Sequence, residues 1–324
     1  MIDFRYHLVS IVAIFLALTV GIVLGSTVLE PTFFKSAEEM TASLRKANES
    51  YITQISDLQT REEGGDSFVT NHTPELVRGQ LAGERVVLVE APGAPAGMRD
   101  PIQKLISSAG AVYTGRVSLT DKFTASDQES VVDSLAATVA PAGFHFADGA
   151  TAYDKAAAVL SGAIVTGDRT QAGRANPSMT GVLEAFQAGD FLTVSGNPDQ
   201  RATMAIVLAP AQPYEGEDAD KQTGAIVSVA AGLDSSDLGT VLTGTTTASS
   251  ATGVIGVLHD TGEAASNVST VDTVDIPAGR VVVVYALREQ LAGRSGAYGV
   301  GSGSTAFEPA VAPTPTPSPA TSRG

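Results

Sequence analysis

The chain contains no cysteine, which excludes disulfides, a catalytic thiol, Cys-ligated zinc and iron–sulfur clusters. Positive charge is scarce too: 20 Lys and Arg stand against 35 Asp and Glu, a formal net charge of −15 in 324 residues. No run of Lys or Arg relieves that balance. A phosphate backbone repels such a surface, so nucleic acid is not the expected partner. Histidine is limited to His7, His72, His145 and His259, each read as a surface or capping residue rather than a catalytic base. His145 with Asp148, and His259 beside Asp260, are the nearest approaches to a ligand pair, and neither has a third ligand close in sequence. The five methionines, Met1, Met40, Met98, Met179 and Met204, are scattered, whereas cuprous ions are held by grouped thiolates or thioethers. A G-x-S-x-G elbow, an H-E-x-x-H helix and a P-loop are all missing. The expectation is a chain that is not an enzyme, with no catalytic or cofactor-binding residue and no metal ligand that can be named.

What the chain does have begins at its start. No charged residue occurs from Leu8 to Leu29. Those 22 residues, as a helix rising about 1.5 Å per residue, cover about 33 Å, enough for a ~30 Å hydrocarbon core. Ser10, Thr19, Ser26 and Thr27 can bond back to helix carbonyls and so permit insertion. A cleaved signal peptide and a buried core helix compete with this reading. The first is expected to have a shorter apolar region and a more basic leader; the second, amphipathic flanks. The segment is therefore read as a retained, single-pass anchor. Arg5 and the terminal amine precede it, which places residues 1–7 in the cytoplasm and the bulk of the chain outside. Within the span Ala17, Gly21 and Gly25 recur at four-residue spacing, a small-residue face on which a second helix can pack, though glycine is also simply common in membrane helices.

A polar, helical stretch follows over 33–63. Phe33, Ala37, Met40, Leu44, Ala47, Tyr51, Gln54 and Leu58 repeat at alternating spacings of 4 and 3, with Glu38, Arg45, Lys46, Glu49 and Arg61 off that seam. This predicts a short coiled-coil stalk ended by Gly64 and Gly65. A single amphipathic helix lying on its own globular domain is the other reading. A paired stalk implies a homo-oligomer or a partner of like design.

From 66 to 299 apolar runs alternate as strands and helices. Strands are expected at 85–91, 111–119, 163–166, 191–194 and 204–208. Helices are expected around Ile102–Ile106, Val131–Val139, 181–187 and 224–233. Val241-Leu242 and 254–258 are further apolar runs, and 277–292 is read as a helix despite its four valines, because Pro277 and Gly293 punctuate it. Alternation of this kind predicts an α/β fold, a Rossmann-like domain with a mainly parallel sheet. The loop after the first strand, 91–97, lacks the G-x-G-x-x-G spacing, and Pro92 and Pro95 remove amide donors, so dinucleotide binding is not expected. Residues 300–324, rich in Ser, Thr, Pro and Gly, are expected to be disordered.

Three stretches carry a family resemblance. The leader and span from Met1 to Gly25 closely resemble the actinobacterial family called copper transporter MctB. Val268–Arg280 and its continuation Gln290–Gly299 are similar to that family's C-terminal signature. The resemblance implies an envelope protein with a role in copper homeostasis or efflux, copper being its cargo. It also includes SteB-like proteins, which act with a membrane partner, SteA, in cell separation and control of a peptidoglycan hydrolase. It supplies no copper ligands. One apolar helix and a βα pattern do not make a pore: a membrane barrel needs repeated alternating strands, and a single helix encloses nothing.

Overall fold

A computed structural model of the chain describes residues 4–26, 30–262 and 267–310. It divides into two units, Met1–Gly65 and Asp66–Gly324.

The first unit is helical. Helix α1 (Phe4–Leu24) carries no buried residue and is long and apolar enough to cross a membrane. Thr19 Oγ1 donates to the Phe15 carbonyl at 2.7 Å and Ser26 Oγ to that of Val23 at 3.2 Å, the back-bonding that permits insertion; Thr27 lies outside the described residues. Helix α2 (Glu30–Leu76) is 47 residues long. Gly64 and Gly65 do not end it. A glycine inside an exposed helix costs about 1 kcal/mol. Anchoring downstream outweighs that cost: within the second unit Val69 and Val77 pack into the core and Tyr285 Oη donates to the Leu76 carbonyl.

The second unit is a mixed α/β domain. Strands β1 (Arg85–Glu90), β2 (Val112–Leu119), β3 (Leu192–Gly196), β4 (Met204–Leu208), β5 (Thr240–Thr243), β6 (Ser269–Val271) and β7 (Ala297–Tyr298) form one sheet in the order β3-β2-β1-β4-β5-β6-β7. Every pairing is parallel except β2–β3. Successive residues on a strand face opposite sides, and both sides here are apolar. Val87, Val89, Val117, Ala205, Val207 and Leu242 enter one core layer; Val86, Leu88, Met204, Ile206, Val241 and Val271 enter the other. The first layer is covered by α5 (Glu129–Val139), α6 (Ala152–Ile164), α7 (Val182–Ala188), α8 (Ala219–Asp234) and α9 (Val254–Asp260), the second by α3 (Arg99–Ser108) and α10 (Pro277–Gln290). A short helix α4 (Asp121–Thr124) puts Phe123 into the first layer.

The strand expected at 163–166 is instead the end of α6, and Val165 makes only one isolated bridge, to Ala202. Helix wins because Thr151 and Asp154 form a reciprocal capping box and alanines at 156, 157 and 158 propagate it; a four-residue β-branched window could not register signals a dozen residues upstream. Thr151→Ala should lower stability by about 1 kcal/mol in denaturant titration. Strands β6 and β7, three and two residues long, went unread for the same reason: they are too short to show a period. Likewise 254–258 is a helix, α9. The tail expected to be disordered from 300 is ordered as far as 310, for reasons given below; 311–324 lie outside the described residues.

Candidate functional site

The sequence-predicted pairing residues are solvent-facing. Ala17 and Gly21 lie on α1 and Gly25 in the π-type turn after it, and a Cβ added at Gly21 or Gly25 would have nothing within 4 Å. On α2, Met40, Leu44, Tyr51 and Leu58 are each more than half exposed, and Ala47 is exposed; the side chains of Phe33 and Ala37 lie outside the described residues. The apolar stripe is broader than the heptad seam. Ile52 and Ile55 are also more than half exposed, and Ile55, one turn after Tyr51 and three residues before Leu58, runs beside Gln54.

The candidate ligand pairs do not assemble. His145 and Asp148 are exposed on a loop. His259 Nε2 lies 2.9 Å from Thr270 Oγ1. Met179 and Met204 are buried in opposite core layers, Met98 is partly buried and Met40 exposed; Met1 lies outside the described residues. Among the described residues no three His, Asp or Glu gather as a metal site.

In an open parallel sheet ligands enter at the carboxyl ends of the strands where the strand order reverses, here between β1 and β4. That crevice is filled by the chain itself. The loop after β1 turns at Gly93, with φ +78°, and its carbonyl accepts from Ala211 N–H at 3.0 Å, while Tyr214 Oη donates to the Pro92 carbonyl at 3.0 Å. Burial holds the Tyr214 phenol protonated, so this donation persists at any physiological pH.

Beside the crevice is a charged cluster the sequence did not announce. Glu90 ends β1 and is 1% exposed. Arg99, the first residue of α3, grips it with a fork, Nε to Oε1 at 2.8 Å and Nη2 to Oε2 at 2.9 Å. Ser118 Oγ, opposite on β2, donates to Oε2 at 2.6 Å, and Arg116 Nε stands 3.5 Å from that oxygen. The fork with Glu90 raises the Arg99 pKa further above its already high value. A cavity of about 300 Å³, lined by Glu90, Arg99, Ser118, Thr120 and Asp121, opens there. The legible clue is a lone acid closing the apolar run 86–89.

A second buried acid organises the far edge of the sheet. Asp272, 1% exposed, follows β6. Its Oδ2 accepts from Ser249 Oγ at 2.9 Å, Gly301 N–H at 2.8 Å and Ser304 Oγ at 2.7 Å, and its Oδ1 from Val300 N–H at 2.9 Å. A strap, 299–306, is thereby folded over the carboxylate, closed by Gly299 N–H to the Ala306 carbonyl. Gly299 has φ +127° and no room for a Cβ, which would meet Asp272 Oδ1. His259 lies under the same strap, its Nδ1 against Gly303. Burial lowers the His259 pKa below its ordinary 6.5, with Asp260 and Asp272 opposing. The folded state therefore binds this proton less readily than the unfolded chain. The stabilisation is complete above about pH 6.5 and fades as pH falls through the lower folded value. Partial solvent exposure keeps the effect modest. His259→Gln should flatten the melting-temperature curve between pH 7 and 5 relative to the parent.

Among known families, the one described as "Copper transport outer membrane protein, MctB" matches residues 1–309. The chain belongs to the MctB family. The copper transporter MctB of Mycobacterium tuberculosis (strain H37Rv) is 27% identical over 308 residues, 94% of this chain and 98% of the relative. The copper transporter MctB of Mycobacterium leprae (strain TN) is 28% identical over 315 residues, 95% and 99% of the two chains. The MctB match takes in α1, the apolar stripe of α2, the Glu90 cluster and the Asp272 strap, and it stops at residue 309, beside the end of the described chain. Both the family description and the relatives' names speak of transport, not of catalysis.

Proposed function

We propose that this MctB-family chain acts in copper homeostasis, promoting copper efflux, as a single-span envelope protein with its N-terminus in the cytoplasm and its α/β domain outside. The observation that carries the reading is the family match running unbroken from α1 through residue 309, joined to a helix long and apolar enough to span a bilayer. Geometry argues against transport by a lone copy: one helix encloses no pore, and among the described residues the sheet, covered by helices on both faces, turns no strand to lipid. An assembly is the reading this favours. The exposed stripe Met40, Leu44, Tyr51, Ile55 and Leu58 supports a parallel coiled-coil stalk, and the Ala17–Gly21–Gly25 face supports close helix pairing below it, with a second copy as partner. The strand order and the reversal between β1 and β4 support a Rossmann-like reading of the domain, without its dinucleotide role.

A deletion strain of the native host should accumulate copper and grow poorly in it, and the full chain should restore both. Copper content is read by elemental analysis of washed cells. Unchanged copper together with chained, unseparated cells would overturn this reading in favour of a SteA-like membrane partner.

A further inference from the structure

The Glu90 cluster holds one more positive charge than its buried acid requires. A carboxylate is satisfied by a single guanidinium fork, and Arg99 supplies that fork with both bonds below 3 Å. Ser118 Oγ fills a further lone pair. Arg116 nevertheless sits with Nε 3.5 Å from the same Oε2, and its side chain's one hydrogen bond among the described residues is Nε to Ser118 Oγ at 3.1 Å. Two guanidiniums beside one carboxylate oxygen repel each other, and the carboxylate cancels only one of them. The terminal nitrogens of Arg116 and Nη1 of Arg99 have no acceptor among the described residues. Their side chains are 24% and 38% exposed, covered enough to be held and open enough to be reached. Arg99 and Ser118 line a cavity over the carboxyl ends of β1 and β2, and Arg116 adjoins it through its bond to Ser118 Oγ.

We propose that Arg99 and Arg116, positioned by Glu90 and Ser118, bind the phosphate group of a small phosphomonoester at the mouth of this cavity. The donor arrangement selects phosphate over carboxylate. The free donors belong to two separate guanidiniums, which suits an anion with three peripheral oxygens better than one with two. The cavity, about 300 Å³, admits a phosphate with a small organic group and no dinucleotide. Asp121, on the cavity wall, disfavours ligands with a second anionic group. This site stands independently of the copper reading, since no metal enters it.

The test is calorimetric titration of the full chain in a neutral detergent. Inorganic phosphate, glucose 1-phosphate and acetate serve as the probes, with a neutral lipid nanodisc and one containing phosphatidic acid as the lipid arm. Glucose 1-phosphate should bind saturably and more tightly than inorganic phosphate, and acetate should not compete. Arg116→Ala should weaken it by about tenfold or more without lowering the melting temperature, and Arg116→Lys should restore only part, since it returns the charge but not the fork. Preference for the phosphatidic-acid disc would overturn the small-ligand assignment in favour of a lipid headgroup. Equal binding of acetate would overturn the phosphate assignment. Absence of saturation at millimolar phosphomonoester, or an unchanged affinity in Arg116→Ala, would overturn the site itself.

Discussion

Asp272→Ala is expected to lower the melting temperature of the protein by roughly 6–12 °C, the consequence of losing about 3 kcal/mol in a domain of this size. The carboxylate accepts four hydrogen bonds from Ser249, Val300, Gly301 and Ser304, and bonds to a charged acceptor are worth roughly 1.5–3 kcal/mol each before solvent recovers part of the loss. Ser249 is itself buried and would be left without its partner. Val300 and Gly301 belong to the strap and can be re-solvated by opening, so the destabilisation should be accompanied by local release. Hydrogen exchange should rise at 299–305, with β1 and β4 slow. Asp272→Asn should fall between, because an amide retains the shape and one acceptor but turns a donor towards Gly301 N–H. An unchanged strap in Asp272→Ala would show that the β7 edge bonds, Thr305 N–H to Ala297 and Gly299 N–H to Ala306, hold it alone.

The proposed pairing of α2 offers an all-or-none experiment because the chain has no native thiol. A single Leu44→Cys or Leu58→Cys is then the only cysteine present. A disulfide forms only when Cα atoms approach within about 7 Å, the spacing of a coiled-coil seam. Oxidised membranes should yield a dimer band for both variants. Lys46→Cys, on the opposite side of the helix from Leu44, should remain monomeric. Comparing Gln54→Cys with Ile55→Cys locates the register: the heptad read from spacing puts Gln54 on the seam, whereas exposure of Ile55 favours the neighbouring track. Equal crosslinking by Lys46→Cys would mean collision rather than pairing.

Much of the fold was legible because it depends on local patterns. The apolar run of α1 needs only hydropathy to be recognised. The strands at 85–90, 112–119 and 204–208 and the helices at 99–108, 219–234 and 277–290 follow from runs, punctuation and spacing within a dozen residues. Where the local rule failed, a distant contact had overruled it. Gly64 and Gly65 should have stopped α2, but Val69, Val77 and the Tyr285 bond to Leu76 lie on the far side of them. The glycine-rich stretch after 299 lacks an apolar core of its own, yet it is ordered by one acid 28 residues before its first residue, Val300.

The sequence by itself determined the long apolar helix near the N-terminus, the acidic and thiol-free chemistry, the alternation that makes a mainly parallel sheet, and the family. Each is a property of composition or of neighbours along the chain. Only the tertiary structure decided that the switch-point crevice is filled through the Ala211–Gly93 and Tyr214–Pro92 bonds, that Arg116 and Arg99 converge on Glu90, and that Asp272 clasps the strap. Burial is the physical reason: a carboxylate reads the same in any sequence, and only the fold removes its water and leaves chosen donors to replace it.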